Sequence, residues 1–223
     1  MDAAQLAGLH PTLYHMAEGG SWPSIRDRGL LSTKAIVDLY QPAEEIKAEI
    51  LTTVRRRKIT LTRDGLPDVT VRDQMPAKFL DVCLEEGVTP QEYLDALNGR
   101  VFFWVSAERL ARLLQARLYR NLRHTVLHVD TSALLKAYLD RVQLAPYNTG
   151  SMHVPTAPKR GPGVFADLAS YPYAEWARRR GTSGDAIVEL TIGYAVPDVR
   201  TYVTRVETWA GGVPVEVLYE KAQ

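Results

Sequence analysis

Cysteine is nearly absent. Cys83 is the only one, which excludes an intramolecular disulfide and a cysteine-rich zinc site. Its flanks, LDVCLEE, predict a helix carrying a buried, inert thiol rather than a nucleophile. No apolar run reaches membrane-spanning length. The opening residues, MDAAQLAGLH, lack the basic start and long apolar core of a signal peptide, so a cytoplasmic protein with no membrane association is the expectation. An excess of one charge is missing too. A net charge of +1 argues against a strongly electrostatic nucleic-acid binder, although a neutral average is compatible with a basic cleft. A P-loop, a GxGxxG turn and the Ser and Cys nucleophile motifs are all absent, which removes the usual marks of kinases, dehydrogenases and common hydrolases. No histidine pair has metal-ligand spacing, so no metal is expected. Neither an internal repeat nor a low-complexity linker divides the 223 residues, and one domain over 1–223 is expected.

What is present starts with LYHMAEGGSWPSIRDRGLLS, residues 13–32. It reads as a strand over Thr12 to Met16 carrying His15, a Gly-Gly turn, a short helix capped by Ser21 with Pro23 in its first turn, and a stop at Gly29. Helices follow from Ser32 to Tyr40 and from Pro42 through Leu51. Ile59 to Thr62 and Val69 to Arg72 form two short strands about Asp64-Gly65. A helix is expected from Pro76, and a capping box at Thr89 to Glu92 starts another that ends at Asn98-Gly99. The segment 33–99 therefore reads as a mainly helical insertion. Val101 to Val105 is apolar on both faces, as a central strand should be. Ser106 caps a helix striped with Leu110, Leu113, Leu114 and Leu118. Further strands are expected at Thr125 to Val129, Val142 to Ala145, Ala186 to Ile192, Thr201 to Val206 and Val215 to Tyr219, with helices after Asp130 and over Tyr173 to Arg180. Residues 146–162 are the longest irregular stretch, a length often associated with function. The whole is α+β rather than a regular βαβ series.

The strand with His15 and the helix ending Ile25-x-x-x-Gly29-Leu30 resemble the opening of ADP-ribosyltransferase-type folds, which include the DNA-modifying DarT toxins and the RNA 2′-phosphotransferases. RVFFWVS at 100–106 before a leucine-rich helix, then TVLHVD at 125–130, follows the order of DarT-like transferases. AIVELTI at 186–192, with AVPDV after it, resembles their catalytic-glutamate strand. LNGRVFFW, Arg72-Asp73-Gln74 and Asn148-Thr149-Gly150-Ser151 also resemble an uncharacterised bacterial family placed near these enzymes. The resemblance implies two small adjoining sheets with a cleft between them, NAD as substrate and no metal.

Glu189 is the first candidate for catalysis, because a carboxylate within an apolar strand is costly unless it is used or solvated. An exposed glutamate on a half-solvated sheet is the competing reading. His15 is either a satisfied core histidine or, as the resemblance implies, a contact to the NAD ribose that donates to one hydroxyl and accepts from another. Arg72 is either paired with Asp73 or another acid, or grips the NAD pyrophosphate, with Arg120 as its rival. Tyr119 can stack on nicotinamide or sit half-buried at a helix end. Of Phe103 and Trp104, which face opposite ways, one belongs to the core and Trp104 is the candidate for the cleft. The stretch Asn148-Thr149-Gly150-Ser151 either approaches a phosphate or acceptor through its N–H groups and hydroxyls, with Asn148 and Ser151 as the candidates for contact, or closes an Asx turn. The basic run 55–58 reads as a solvated helix end or a phosphate-facing patch. His128 is read as core, and His124 and His153 as turn residues.

The resemblance implies transfer of ADP-ribose from NAD with release of nicotinamide. A nucleic-acid base, a protein side chain and a small molecule all stand as acceptors. An RNA 2′-phosphotransferase and an inert binding module of the same fold remain as alternatives. A toxin role would bring a neutralising partner protein, and defence and housekeeping roles stay open.

Overall fold

A computed structural model describes residues 1–181 and 186–222. The elements run α1 (Ala3–Leu9), β1 (Thr12–Glu18), α2 (Trp22–Arg28), β2 (Leu30–Leu31), α3 (Thr33–Tyr40), α4 (Glu44–Thr52), β3 (Ile59–Arg63), β4 (Leu66–Val71), α5 (Pro90–Asn98), β5 (Arg100–Trp104), α6 (Ala107–Gln115) and β6 (Arg123–Asp130). They continue with α7 (Thr131–Tyr138), β7 (Val142–Ala145), β8 (Ala166–Asp167), α8 (Tyr173–Arg180), β9 (Glu189–Gly193), β10 (Ala195–Val196), β11 (Val203–Ala210) and β12 (Val213–Glu220). The fold is α+β, with its named strands paired antiparallel.

Local chemistry sets most helix starts. The Ser32 hydroxyl accepts the Ala35 N–H at 3.1 Å, and Asp130 Oδ1 accepts the Ala133 N–H at 2.8 Å. Thr89 and Glu92 close a full capping box. Ser21 is different. Its backbone is already helical, and its hydroxyl donates to the Glu18 carbonyl, so it closes the Gly19-Gly20 turn instead of capping α2. α6 ends at Gln115, which leaves Leu118 exposed outside the leucine stripe. No helix grows from Pro76. The Phe79 N–H and the Pro76 carbonyl bond Met152 at 2.9 and 2.7 Å, and these long-range bonds hold two 3-10 turns there, the second ending at the buried Cys83.

The main sheet has the order β12-β11-β6-β1-β5-β9-β7-β8. It is one sheet, not the two expected, yet it nearly parts in the middle. β1 shares seven registered pairs with β6, and β5 shares five with β9, but β1 and β5 meet at a single pair, Tyr14 and Trp104. That pair survives because both rings pack against Leu110 and Leu114 of α6 in one apolar cluster. The opposite face of the sheet carries the main core, with Leu13, Phe103, Leu127, Leu190 and Ile192 all buried.

The segment 33–99 holds α3, α4, the two 3-10 turns and α5 together with one hairpin. Ile59, Leu61 and Val71 alternate with polar residues, and this period-2 pattern forms the hairpin β3–β4. α3 and α4 cover the hairpin, burying Val37, Tyr40 and Ile50 in a satellite core. That small unit stands beside the seam and forms one wall of the cleft.

Candidate active site

A cleft of about 610 Å³ opens at the β1–β5 seam. That is ample for a ligand of cofactor size. Its walls come from β1 and the turn after it, α2, α3, the β3–β4 hairpin, β5 and the 148–150 loop. His15, Arg72, Trp104, Tyr119, Asn148 and Glu189 all line it, although they lie on six separate segments of the chain. Arg120 and Ser151 do not. Arg120 is exposed beyond the end of α6, and the Ser151 hydroxyl turns to His153 Nδ1 at 3.0 Å.

Glu189 opens β9, registered between Trp104 of β5 and Ala145 of β7. It is only 5 % exposed, which removes the reading of a solvated surface glutamate. Its Oε2 accepts the Thr149 N–H at 3.1 Å and the Thr149 hydroxyl at 2.7 Å. Oε1 takes no hydrogen bond among the described residues. Burial raises the carboxyl to about 7, against the opposing pull of the Thr149 bonds and the Arg160 charge. The group is therefore divided between acid and carboxylate near neutrality.

His15 bonds the Phe102 carbonyl through Nδ1 at 2.8 Å. A carbonyl only accepts, so Nδ1 carries the proton there. Burial lowers the imidazole to about 4, which keeps it neutral. Nε2 is thus an acceptor. The expected pair of functions, one donor and one acceptor toward a ribose, reduces to acceptance alone.

Arg72 is not paired with Asp73. Asp73 accepts the Met75 N–H, while the Arg72 guanidinium lies 5.2 Å over the Tyr119 ring and its Nη1 meets Met16 Sδ. It pairs with another acid, its Nε standing 4.0 Å from Glu18 Oε2, buried and without a hydrogen bond among the described residues. Lys58 holds the other Glu18 oxygen at 2.5 Å. Tyr119 itself is 7 % exposed and belongs to the cleft wall, while Phe103 is wholly buried on the opposite face from Trp104.

The basic run 55–58 divides instead of acting together. Arg55 is 5 % exposed and donates to the Arg72 carbonyl, the Ile50 carbonyl and Asn98 Oδ1 at 2.7–2.9 Å. It ties α4, α5 and the segment after β4 together and itself lines the cleft. Arg57 pairs with Glu49 on the surface. His128 is half-buried and bonds Glu207 Oε2 at 2.9 Å, and His124 lies buried inside β6 rather than in a turn. Among the described residues, no cluster of three His, Cys, Asp or Glu side chains has the arrangement to hold a metal ion.

The roles of two residues were missed by sequence reasoning alone. Thr149, read from the sequence only as part of the 148–151 turn facing a ligand, instead supplies both hydrogen bonds to Glu189. Arg160 is fully buried and grips the same loop. The available signal was the length of the irregular stretch 146–162, which contains both.

No curated protein matches the sequence. Residues 11–203, which span β1 through the start of β11 and every residue lining the cleft, match the model of a family of unknown function, DUF7002, and the chain belongs to that family.

Proposed function

We propose that the chain is an NAD-dependent ADP-ribosyltransferase. The observation that carries this reading is Glu189, a buried carboxyl in the cleft with one oxygen fixed by Thr149 and the other unbonded. The seam between β1 and β5 supports it, because it gives an extended ligand a slot across both halves of the sheet.

The reaction breaks the bond between ribose C1 and the nicotinamide nitrogen. The bonding pair leaves with nicotinamide, which departs neutral and needs no strong general acid. Positive charge develops on the ribose, as in glycoside hydrolysis. The Glu189 carboxylate opposes that charge and accepts a hydrogen bond from the ribose 2-hydroxyl. His15 Nε2 accepts from a ribose hydroxyl, and the Arg72 guanidinium, on the cleft wall, supplies positive charge to the pyrophosphate. The acceptor nucleophile then bonds C1 and loses its proton, which Glu189 can take. A nucleic-acid base is the acceptor we favour, on the DarT-like order of the strands.

The test is nicotinamide release from NAD by the purified chain, alone and with single-stranded DNA, RNA and a protein mixture, with mass spectrometry of each acceptor. Release that depends on Glu189, with ADP-ribose added to a nucleic-acid base, is the expected result. Absence of release under every condition overturns the reading.

A further inference from the structure

Arg160 is the largest fully buried side chain among the described residues, at 1 % exposure. No ion pair neutralises it among the described residues. Its Nε and Nη1 are met by carbonyls. Nη1 donates to the Asn148, Thr149 and Ser151 carbonyls, each at 3.1 Å, and Nε donates to the Pro158 carbonyl at 3.0 Å. Tyr147 covers the guanidinium, with its ring centre 4.8 Å away. The backbone of Arg160 is anchored as well, by the Cys83 carbonyl at 3.0 Å and the Glu85 N–H at 3.1 Å.

Thr149 is the residue these bonds fix. Its carbonyl receives Arg160 Nη1 and the Tyr93 hydroxyl, at 3.1 and 2.9 Å. Its N–H and hydroxyl go to Glu189 Oε2. Thr149 is thus held from behind by a buried cation and holds a buried acid in front. We propose that Arg160 is the positioning residue for Glu189: by fixing the 148–151 loop through its carbonyls, it makes Thr149 anchor one carboxylate oxygen and leave the other toward the cleft. Burying a full charge is costly, and a loop needing only shape can be closed by neutral donors. A guanidinium here adds positive potential beside the carboxyl and a rigid fan of donors.

The groups acting on the Glu189 charge are few. Arg160 and Tyr93 flank it behind Thr149. Its sheet neighbours, Trp104 and Ala145, carry no titratable group. Arg160 is thus the charged group that acts on Glu189, directly and through the two Thr149 hydrogen bonds it holds in place. Its importance to catalysis rests on the transferase reading above, but its hold on Glu189 does not.

The experiment is titration of the Glu189 side-chain carboxyl by NMR in the ligand-free, full-length protein, assigned by its loss in Glu189→Gln. Arg160→Gln should shift the titration upward by about one pH unit or more, and Arg160→Lys, which keeps the charge without the fan of bonds, by less. NAD cleavage by Arg160→Gln should then fall about fivefold at pH 7 and recover above pH 9, since only the ionised fraction is lost. An unmoved titration in a folded Arg160→Gln variant overturns the proposal. Should that variant fail to fold, Arg160→Lys is read the same way: an upward shift supports the proposal and none overturns it. A shifted titration in a protein that never cleaves NAD leaves the role of Arg160 standing and removes the transferase reading.

Discussion

Glu189 and His15 occupy the same cleft, yet burial moves them in opposite directions, to about 7 and about 4. Both shifts favour the neutral form. Their effects on stability have opposite signs. Between pH 4.5 and 7 the folded chain holds a proton at Glu189 that the unfolded chain has released, so stability is lost as pH rises. Between about 4 and 6.5 the unfolded chain binds a proton at His15 that the folded chain does not, so stability is lost as pH falls. Over their shared window the two slopes offset each other. Glu189→Gln should therefore stabilise the protein by about 3 kcal/mol at pH 8 and leave it unchanged near pH 4, as read from urea midpoints at both values. The same substitution should lower the rate of NAD cleavage about 10²-fold with little change in affinity, because the carboxylate acts on charge that exists only in the transition state. His15→Ala should instead raise KM about five- to tenfold, the scale of one lost hydrogen bond. Full turnover by Glu189→Gln would place the catalytic carboxylate elsewhere.

At the scale of elements, the cleft depends on how α2 and β2 are delivered. Gly29 joins them with φ at +80° and ψ at −176°, a conformation open essentially to glycine alone. A Cβ there would sit 2.3 Å from Pro197 Cα and 2.5 Å from the Val196 carbonyl oxygen. The tightness is what lets β2 pair with β10 and close the far end of α2. Gly29→Ala should cost at least about 3 kcal/mol, from strain and overlap together, and lower the urea midpoint accordingly. By comparison Thr89→Ala, which removes the capping box of α5, should cost about 1 kcal/mol. A Gly29→Ala midpoint equal to that of the cap variant would mean the β2–β10 contact yields easily.

Across the whole molecule, the seam is the weak line. Four strands stand on each side of it, joined in the ladder by one residue pair, with α6 behind it, the His15 bond to the Phe102 carbonyl beside it and the main core on the other face. A ligand lying in the cleft touches both halves and should tighten the seam. Saturating NAD is expected to slow amide exchange in residues 12–18 and 100–104, while the distant β11–β12 ladder exchanges as before. Equal exchange with and without NAD in β1 and β5 would argue that NAD does not bind across the sheet.

The sequence by itself determined the elements whose causes are local. The Thr89 capping box, the Ser32 and Asp130 caps, the hairpin at Asp64-Gly65 and the apolar strand after Arg100 rest on residues within a few positions of one another. It also marked Glu189, because an acid inside an apolar strand stands out in any context. Tertiary structure decided the rest. Whether β1 and β5 pair fully or part depends on what packs behind Tyr14 and Trp104. That Arg55 and Arg160 are buried while Arg120 is exposed follows from which distant carbonyls they meet, and an arginine codon position carries no trace of that. The proton on His15 is placed by the carbonyl of Phe102, 87 residues along the chain. Local hydrogen bonds are encoded by neighbours, whereas the charge state and reach of a buried side chain are set by the surroundings that folding assembles around it.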